Sequence, residues 1–169
     1  MRYFCLLLLW SLWLSPFSLA NNTNVLPTAY KYYGVKETSK NSSEIIDKFN
    51  EHVGVPKGSN WCASFVSYVL DEVGVSYPTV RSAVARKFIT EFSIKAKHVY
   101  KGYAEVYPGW LAIWQHGNTW RGHIGFVIWW HRLSGKTIEG NTNNKVDIQY
   151  RKLELSKYFR ITHFTPVHE

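Results

Sequence analysis

Three short segments carry side chains able to do nucleophilic chemistry. The first is Ser59-Asn60-Trp61-Cys62-Ala63-Ser64-Phe65-Val66. It puts Cys62 in the first turn of an expected helix, where unpaired N–H groups and the helix dipole favour an anion and so the reactive thiolate. Ala63 and Ser64 are small and leave room around the sulfur. A buried structural thiol is the competing role, since cysteine is among the most buried residue types. The second segment is Arg121-Gly122-His123-Ile124-Gly125-Phe126-Val127. A histidine opens an apolar strand there between two glycines, and glycine lets another backbone or a substrate come close. The third is Thr137-Ile138-Glu139-Gly140-Asn141-Thr142. Residues two apart in a strand share a face, so Glu139 and Asn141 are expected to point the same way. Either can accept from an imidazole and orient it. Each segment alone has an ordinary alternative: a core thiol, a surface histidine, a hairpin end. In the order thiol, imidazole, acid or amide they are the parts of a nucleophile, its base and the group that holds the base.

The elements that must position these groups follow from periodicity. A first helix is expected to start at 41–43, with Ile45, Ile46, Phe49 and His52 at helical spacing and Gly54 at its end. A second starts at Asn60 or Trp61, carries Phe65, Val66, Val69, Leu70 and Val73 on one stripe, and stops at Gly74. A third is expected over 79–92, after Pro78. From His98 onward Val, Ile, Tyr and Trp dominate, and 111–115, 123–130, 136–139, 146–151 and 161–164 read as strands. Helices first and strands afterwards argue for an α+β fold, with N-terminal helices packed on a C-terminal antiparallel sheet.

Residues 1–20 read as an export signal and stand outside the fold: Met1-Arg2 is a short basic start, 3–13 is nearly all apolar, and Ser18-Leu19-Ala20 is a cleavage site. A membrane span needs roughly 20 mostly apolar residues, so no stable span is expected once the signal is removed. Residues 21–41 read as a polar lead-in with a short ordered piece near Tyr30 to Tyr33, and 42–169 as one catalytic domain. Removing the signal removes Cys5 and leaves Cys62 alone, so no internal disulfide can form. The net charge is +8, with the basic residues scattered rather than in a run. A solvated basic surface and an anionic polymer partner both fit that balance. Export makes nucleic acid the poor choice. No zinc-ligand spacing and no phosphate-cradling glycine loop is present. Trp61, Trp110, Trp120 and Trp129 are candidates for lining a substrate groove, with core packing the expected role for about half of the tryptophans around the histidine motif.

Trp61-Cys62-Ala63-Ser64-Phe65-Val66, Gly122-His123-Ile124-Gly125-Phe126-Val127 and Ile138-Glu139-Gly140-Asn141-Thr142 together resemble the CHAP family (cysteine, histidine-dependent amidohydrolases/peptidases) and the related NlpC-type cell-wall peptidases. The resemblance covers the chain from about Ser43 to its end. It implies a papain-like α+β fold and hydrolysis of a peptidoglycan amide, either at the muramic acid–stem junction or inside the stem or cross-bridge. By this resemblance Cys62 attacks the carbonyl, His123 activates the thiol and protonates the leaving amine, and Glu139 orients His123. Asn141 matches the family's second polar residue; which of the two is the main orienter stays open. The oxyanion hole would use the Cys62 N–H and a side-chain donor, for which Asn60 is the candidate, a helix N-cap being its other role. No metal or organic cofactor is implied. The implied partner is the peptidoglycan glycopeptide, in the periplasm, the cell envelope or outside the cell. One departure is Gly109-Trp110, where the family usually carries Gly-Asp. Two other classes stand beside the enzyme: a catalytically silent wall-binding module, and a secreted thiol protease acting on protein.

Overall fold

A computed structural model describes residues 24–168; the expected export signal lies outside the described residues. Among these, α1 spans Val25–Lys31, α2 Glu44–His52, α3 Cys62–Val73 and α4 Ala96–Tyr100, with a single 3-10 turn at Ala85–Phe88. The strands are β1 Ile94–Lys95, β2 Leu111–His116, β3 Gly122–His131, β4 Ser134–Thr142, β5 Lys145–Lys152 and β6 Phe159–Thr165. They form one sheet in the order β1-β6-β2-β3-β4-β5. Every neighbouring pair is antiparallel. The class is α+β. No helix among the described residues is long and apolar enough to cross a membrane.

Local chemistry accounts for the elements nearest the site. The Ser43 hydroxyl accepts from the Ile46 N–H and caps α2, whose Ile46 and Phe49 turn inward. In α3, Phe65, Val66, Val69 and Leu70 are fully buried, and the helix ends where Gly74 takes a left-handed φ of 78°. Strand alternation splits the apolar side chains between two cores. Leu111, Ile113, Ile124, Phe126 and Ile138 face α1, α2 and α3 on one side of the sheet. Ala112, Trp114, Val127, Ile161 and Phe164 face α4 on the other. The helix that begins with Cys62 is thus pressed onto the strand pair that carries His123 and Glu139.

Two expected elements differ. The helix expected over 79–92 is replaced by the short turn at Ala85–Phe88, because side chains claim the backbone groups a helix would use. The Ser67 hydroxyl bonds the carbonyl and the N–H of Ser82, and the Arg81 guanidinium binds the carbonyls of Val75, Pro78 and Val80. The lead-in is largely part of the domain. Val25 and Ala29, one helical turn apart, are fully buried, and the Tyr32 ring meets Phe49, Phe65 and Tyr68 edge-on. Farther along, Lys36 pairs with Lys145 at the start of β5. The polar composition of 21–41 concealed this short apolar pair. The β1–α4 unit, at 94–100, was not foreseen either, since a two-strand pairing and a five-residue helix leave little periodicity to read.

Candidate active site

Cys62 is the first residue of α3, so its N–H lies among those without a partner inside the helix. Trp61 sets its position. The indole is fully buried and donates its Nε1–H to Glu37 at 3.0 Å. A Cβ added to Gly140 would lie 2.9 Å from the Trp61 ring and 2.8 Å from Phe65 Cβ, so this glycine lets the start of α3 sit against β4. Trp61 is therefore a wedge in the core. As a groove residue it is corrected: the periodicity of α3 begins one residue after it, and a buried ring with a satisfied N–H belongs inside.

His123 is the second residue of β3 and packs edge-on against Trp114 at 5.2 Å between ring centres. Its Nε2 lies 2.7 Å from Glu139 Oε2. The Cys62 side chain lies close enough to the imidazole to raise its pKa. Glu139 is fully buried. It sits opposite Gly125, where a Cβ would come within 2.5 Å of Glu139 Cγ. Only a glycine there leaves the carboxylate room to cross the ladder towards His123 on the diagonal.

The carboxylate has further partners. Arg151 clamps both oxygens, Nε to Oε1 at 2.8 Å and Nη2 to Oε2, and Thr137 donates its hydroxyl to Oε1. The Arg151 guanidinium lies over the Trp114 ring, 5.4 Å from its centre. Burial would push the Glu139 carboxyl up, but the bonds from Arg151 and His123 outweigh it and hold the group down to about 2. Burial would likewise push the His123 imidazole down. The Cys62 sulfur and then Glu139 outweigh that, and its pKa rises to about 10. The imidazole thus stands between the sulfur and a carboxylate and holds its proton more tightly than a free histidine does.

Asn141 is not a partner of the imidazole. The β4–β5 register shifts between Glu139 and Thr142, and Asn141 takes a left-handed φ of 54° there. The bulge breaks the two-residue alternation that put Asn141 on the face of Glu139. Asn60 is exposed and lines the same cleft as Cys62. It is not the helix cap; that position falls to Trp61, without a side-chain cap bond.

The cleft has a volume of about 480 Å³, and besides Asn60 and Cys62 its wall includes Val84, His116, Trp120 and Arg121. Trp120 stands at the rim, 69% exposed. Trp110 and Trp129 do not line it. Trp110 packs on Tyr107 against the second core, and Trp129 sits near Tyr150 towards the far end of β3. The loop in which Gly109-Trp110 replaces Gly-Asp is held by two backbone bonds to Val127, from Gly109 N–H and to the Trp110 carbonyl.

Sequence reasoning missed Arg151, Thr137 and His116, and saw Trp114 only as one of the tryptophans around the histidine motif, not as the ring between His123 and Arg151. Thr137 was within reach, being two residues from Glu139 on the same strand. Arg151 was not: it pairs opposite Gly135 and reaches Glu139 only through the length of its side chain. Among the described residues no group of three or more His, Cys, Asp and Glu side chains gathers to hold a metal ion. No protein-family model matches the chain, and no curated protein matches it in sequence.

Proposed function

We propose that this chain is a cysteine amidohydrolase of the papain-like, CHAP type that cleaves an amide bond in peptidoglycan. The observation that carries the proposal is the continuous run Cys62–His123–Glu139, which begins at a helix N-terminus and opens on a cleft. A thiol beside a raised-pKa imidazole that is fixed by an ionised carboxylate is the arrangement of an activated cysteine nucleophile.

The chemistry follows from the positions. The Cys62 thiolate attacks the amide carbonyl, and a C–S bond forms as the carbonyl oxygen takes up the negative charge. The Cys62 N–H and the Asn60 amide are the donors available to that oxygen. The His123 imidazolium gives its proton to the departing amine as the C–N bond breaks, leaving a thioester. His123, now neutral, takes a proton from water. The hydroxide adds to the thioester, and the carboxylic acid leaves as the thiolate re-forms. Glu139 stays ionised throughout and holds the imidazole in the tautomer that serves Cys62. The choice of peptidoglycan rests on the three motifs and on a basic protein facing an acidic polymer. Export through residues 1–20 belongs to the same proposal.

The test is digestion of purified peptidoglycan by the protein from residue 21 onward, beside Cys62→Ala, with mass spectrometry of the products. Release by the parent alone supports a thiol mechanism, and the fragment masses name the bond. No release by either, from walls of several chemotypes, moves the assignment to a wall-binding module or to a protein substrate.

A further inference from the structure

A second concavity, about 580 Å³, adjoins the cleft, with Phe159 lining both. Its walls are aromatic and basic: Trp114, Tyr150, Tyr158 and Phe159 with Lys152 and Arg160. Tyr150, Tyr158 and Phe159 are 54%, 61% and 44% exposed, an unusual grouping of wet aromatic surface. The partition between the two hollows is built rather than loose. The Tyr158 and Phe159 rings pack on His116 at 5.0 and 5.1 Å, and the Gly117 N–H bonds the Tyr158 carbonyl at 2.8 Å. Gly117 takes a φ of 52°, and a Cβ there would overlap the Tyr158 ring.

The charges do not cancel. Arg151, at the floor, is matched by Glu139, and Lys157 pairs with Glu154 at 2.7 Å. Lys152 and Arg160 have no carboxylate partner among the described residues; Arg160 donates only to the Lys157 carbonyl. Two uncompensated cations in a concave, aromatic-walled site attract an anion more strongly than the same cations on a flat surface. Because Phe159 belongs to both the trough and the cleft of Cys62, one extended substrate can cross it and occupy the two together.

Resting on the amidohydrolase reading, we propose that the trough is a subsite for a carboxylate-bearing portion of the substrate, an acidic glycopeptide whose sugar or peptide lies on the aromatic walls and whose carboxylate meets Lys152 and Arg160. Selection between acidic and amidated forms of the same wall peptide follows. Volume agrees: about 580 Å³ is the size of a site for a small glycopeptide fragment.

The test measures binding without turnover. Calorimetry on the full-length Cys62→Ala protein compares N-acetylmuramoyl-L-alanyl-D-glutamate with its carboxamide form. The acid is expected to bind about tenfold tighter or more, as charge-assisted contacts require. In Lys152→Gln/Arg160→Gln that preference collapses while the amide's affinity is unchanged. Lys152→Gln alone, at an exposed position, is expected to remove part of the preference and guards against a folding defect in the pair. Equal affinity for acid and amide, no binding of either at millimolar concentration, or a preference that survives the double substitution overturns the subsite. So does a single-stranded oligonucleotide that binds the trough in preference to the glycopeptide. If the parent protein digests no wall yet the preference is found, the enzyme reading falls and the trough remains only as an acid-selective site of a wall-binding module. If walls are digested with no preference, the subsite alone falls.

Discussion

At Gly125, β3 gives way to Glu139 of β4; farther along the same ladder, at Gly135, β4 gives way to Trp130 of β3. The steric device is the same. A Cβ would lie 2.5 Å from Glu139 Cγ at the first position; at the second it would lie 2.5 Å from Trp130 Cε3 and still nearer the Trp129 carbonyl oxygen, at 2.3 Å. The outcomes differ because the side chains admitted differ. Glu139 enters a network of His123, Arg151 and Thr137. Trp130 packs on Phe164, 4.9 Å between ring centres, at the margin of the second core, and its Nε1–H goes to the Arg132 carbonyl at 3.3 Å. A missing side chain in a strand therefore marks a large neighbour, and the neighbour's chemistry decides whether the place is a site. Aromatic richness alone, as at Trp129-Trp130, does not.

The comparison breaks most sharply at the sulfur. Cys62→Ala is expected to lower turnover at least about a thousandfold, with the melting temperature little changed. It also removes the side chain that does most to raise the imidazole, so an NMR titration of His123 should fall from about 10 towards its ordinary value. A titration that does not move would mean that Glu139 alone holds the proton.

Next come the two glycines. Gly125→Ala forces Glu139 out of line and should cost about a hundredfold in kcat, the scale of an ångström's misplacement. Gly135→Ala should cost about 1–3 kcal/mol of stability, the usual penalty of overpacking, and leave kcat within a factor of a few. Equal kinetic losses in both would erase the distinction between the two ends.

Acidity separates them too. Glu139 is held at about 2 in the fold against an ordinary 4.5, so its contribution to stability is present above about 4.5 and is lost as pH falls towards 2. His123 is raised, so its contribution is fully present below its ordinary 6.5 and is lost as pH rises towards about 10. Urea midpoints measured from pH 2 to 10 should fall at both limits in the parent and in Gly135→Ala. In Glu139→Gln the acid-side fall should shrink.

Arg151→Gln is expected to lower kcat about tenfold, the size of effect typical of groups that orient a catalytic side chain. It should also move the acid limb of the activity profile to higher pH, because the Glu139 carboxyl loses the bonds that depress it most. A profile that drops uniformly, with no shift, would mark Arg151 as packing only. Smallest is the rim: Trp120→Ala should raise KM several-fold, on the scale of one lost aromatic contact, while Trp129→Ala should leave it unchanged.

Much of this was legible from residue types. The stripe of α3 and the alternation of β3 placed Cys62 and His123 at the starts of their elements, and the structure brings those two together with Glu139. What escaped notice depended on geometry that spacing does not carry. Asn141 lost its face to a bulge, Trp61 sank because Gly140 made room for it, and Arg151 acts across a distance that only its own length spans. The helix expected over 79–92 failed for a related reason: Ser67 of α3 and Arg81 within the segment itself bind the backbone groups of Ser82 and Val80.

The order of strands carries one further consequence, for the timing of folding. β6, the last strand, lies between β1 and β2, and Lys36 is joined to Lys145 about a hundred residues away. Closing such long loops is entropically costly and makes assembly slow compared with a bundle of local contacts. Cys62 and His123 are themselves about sixty residues apart and meet only when α3 packs on β3 and β4. During refolding, the burial of Cys62 against an alkylating reagent should therefore report when α3 docks on the β3–β4 pair, later than the closing of any local turn.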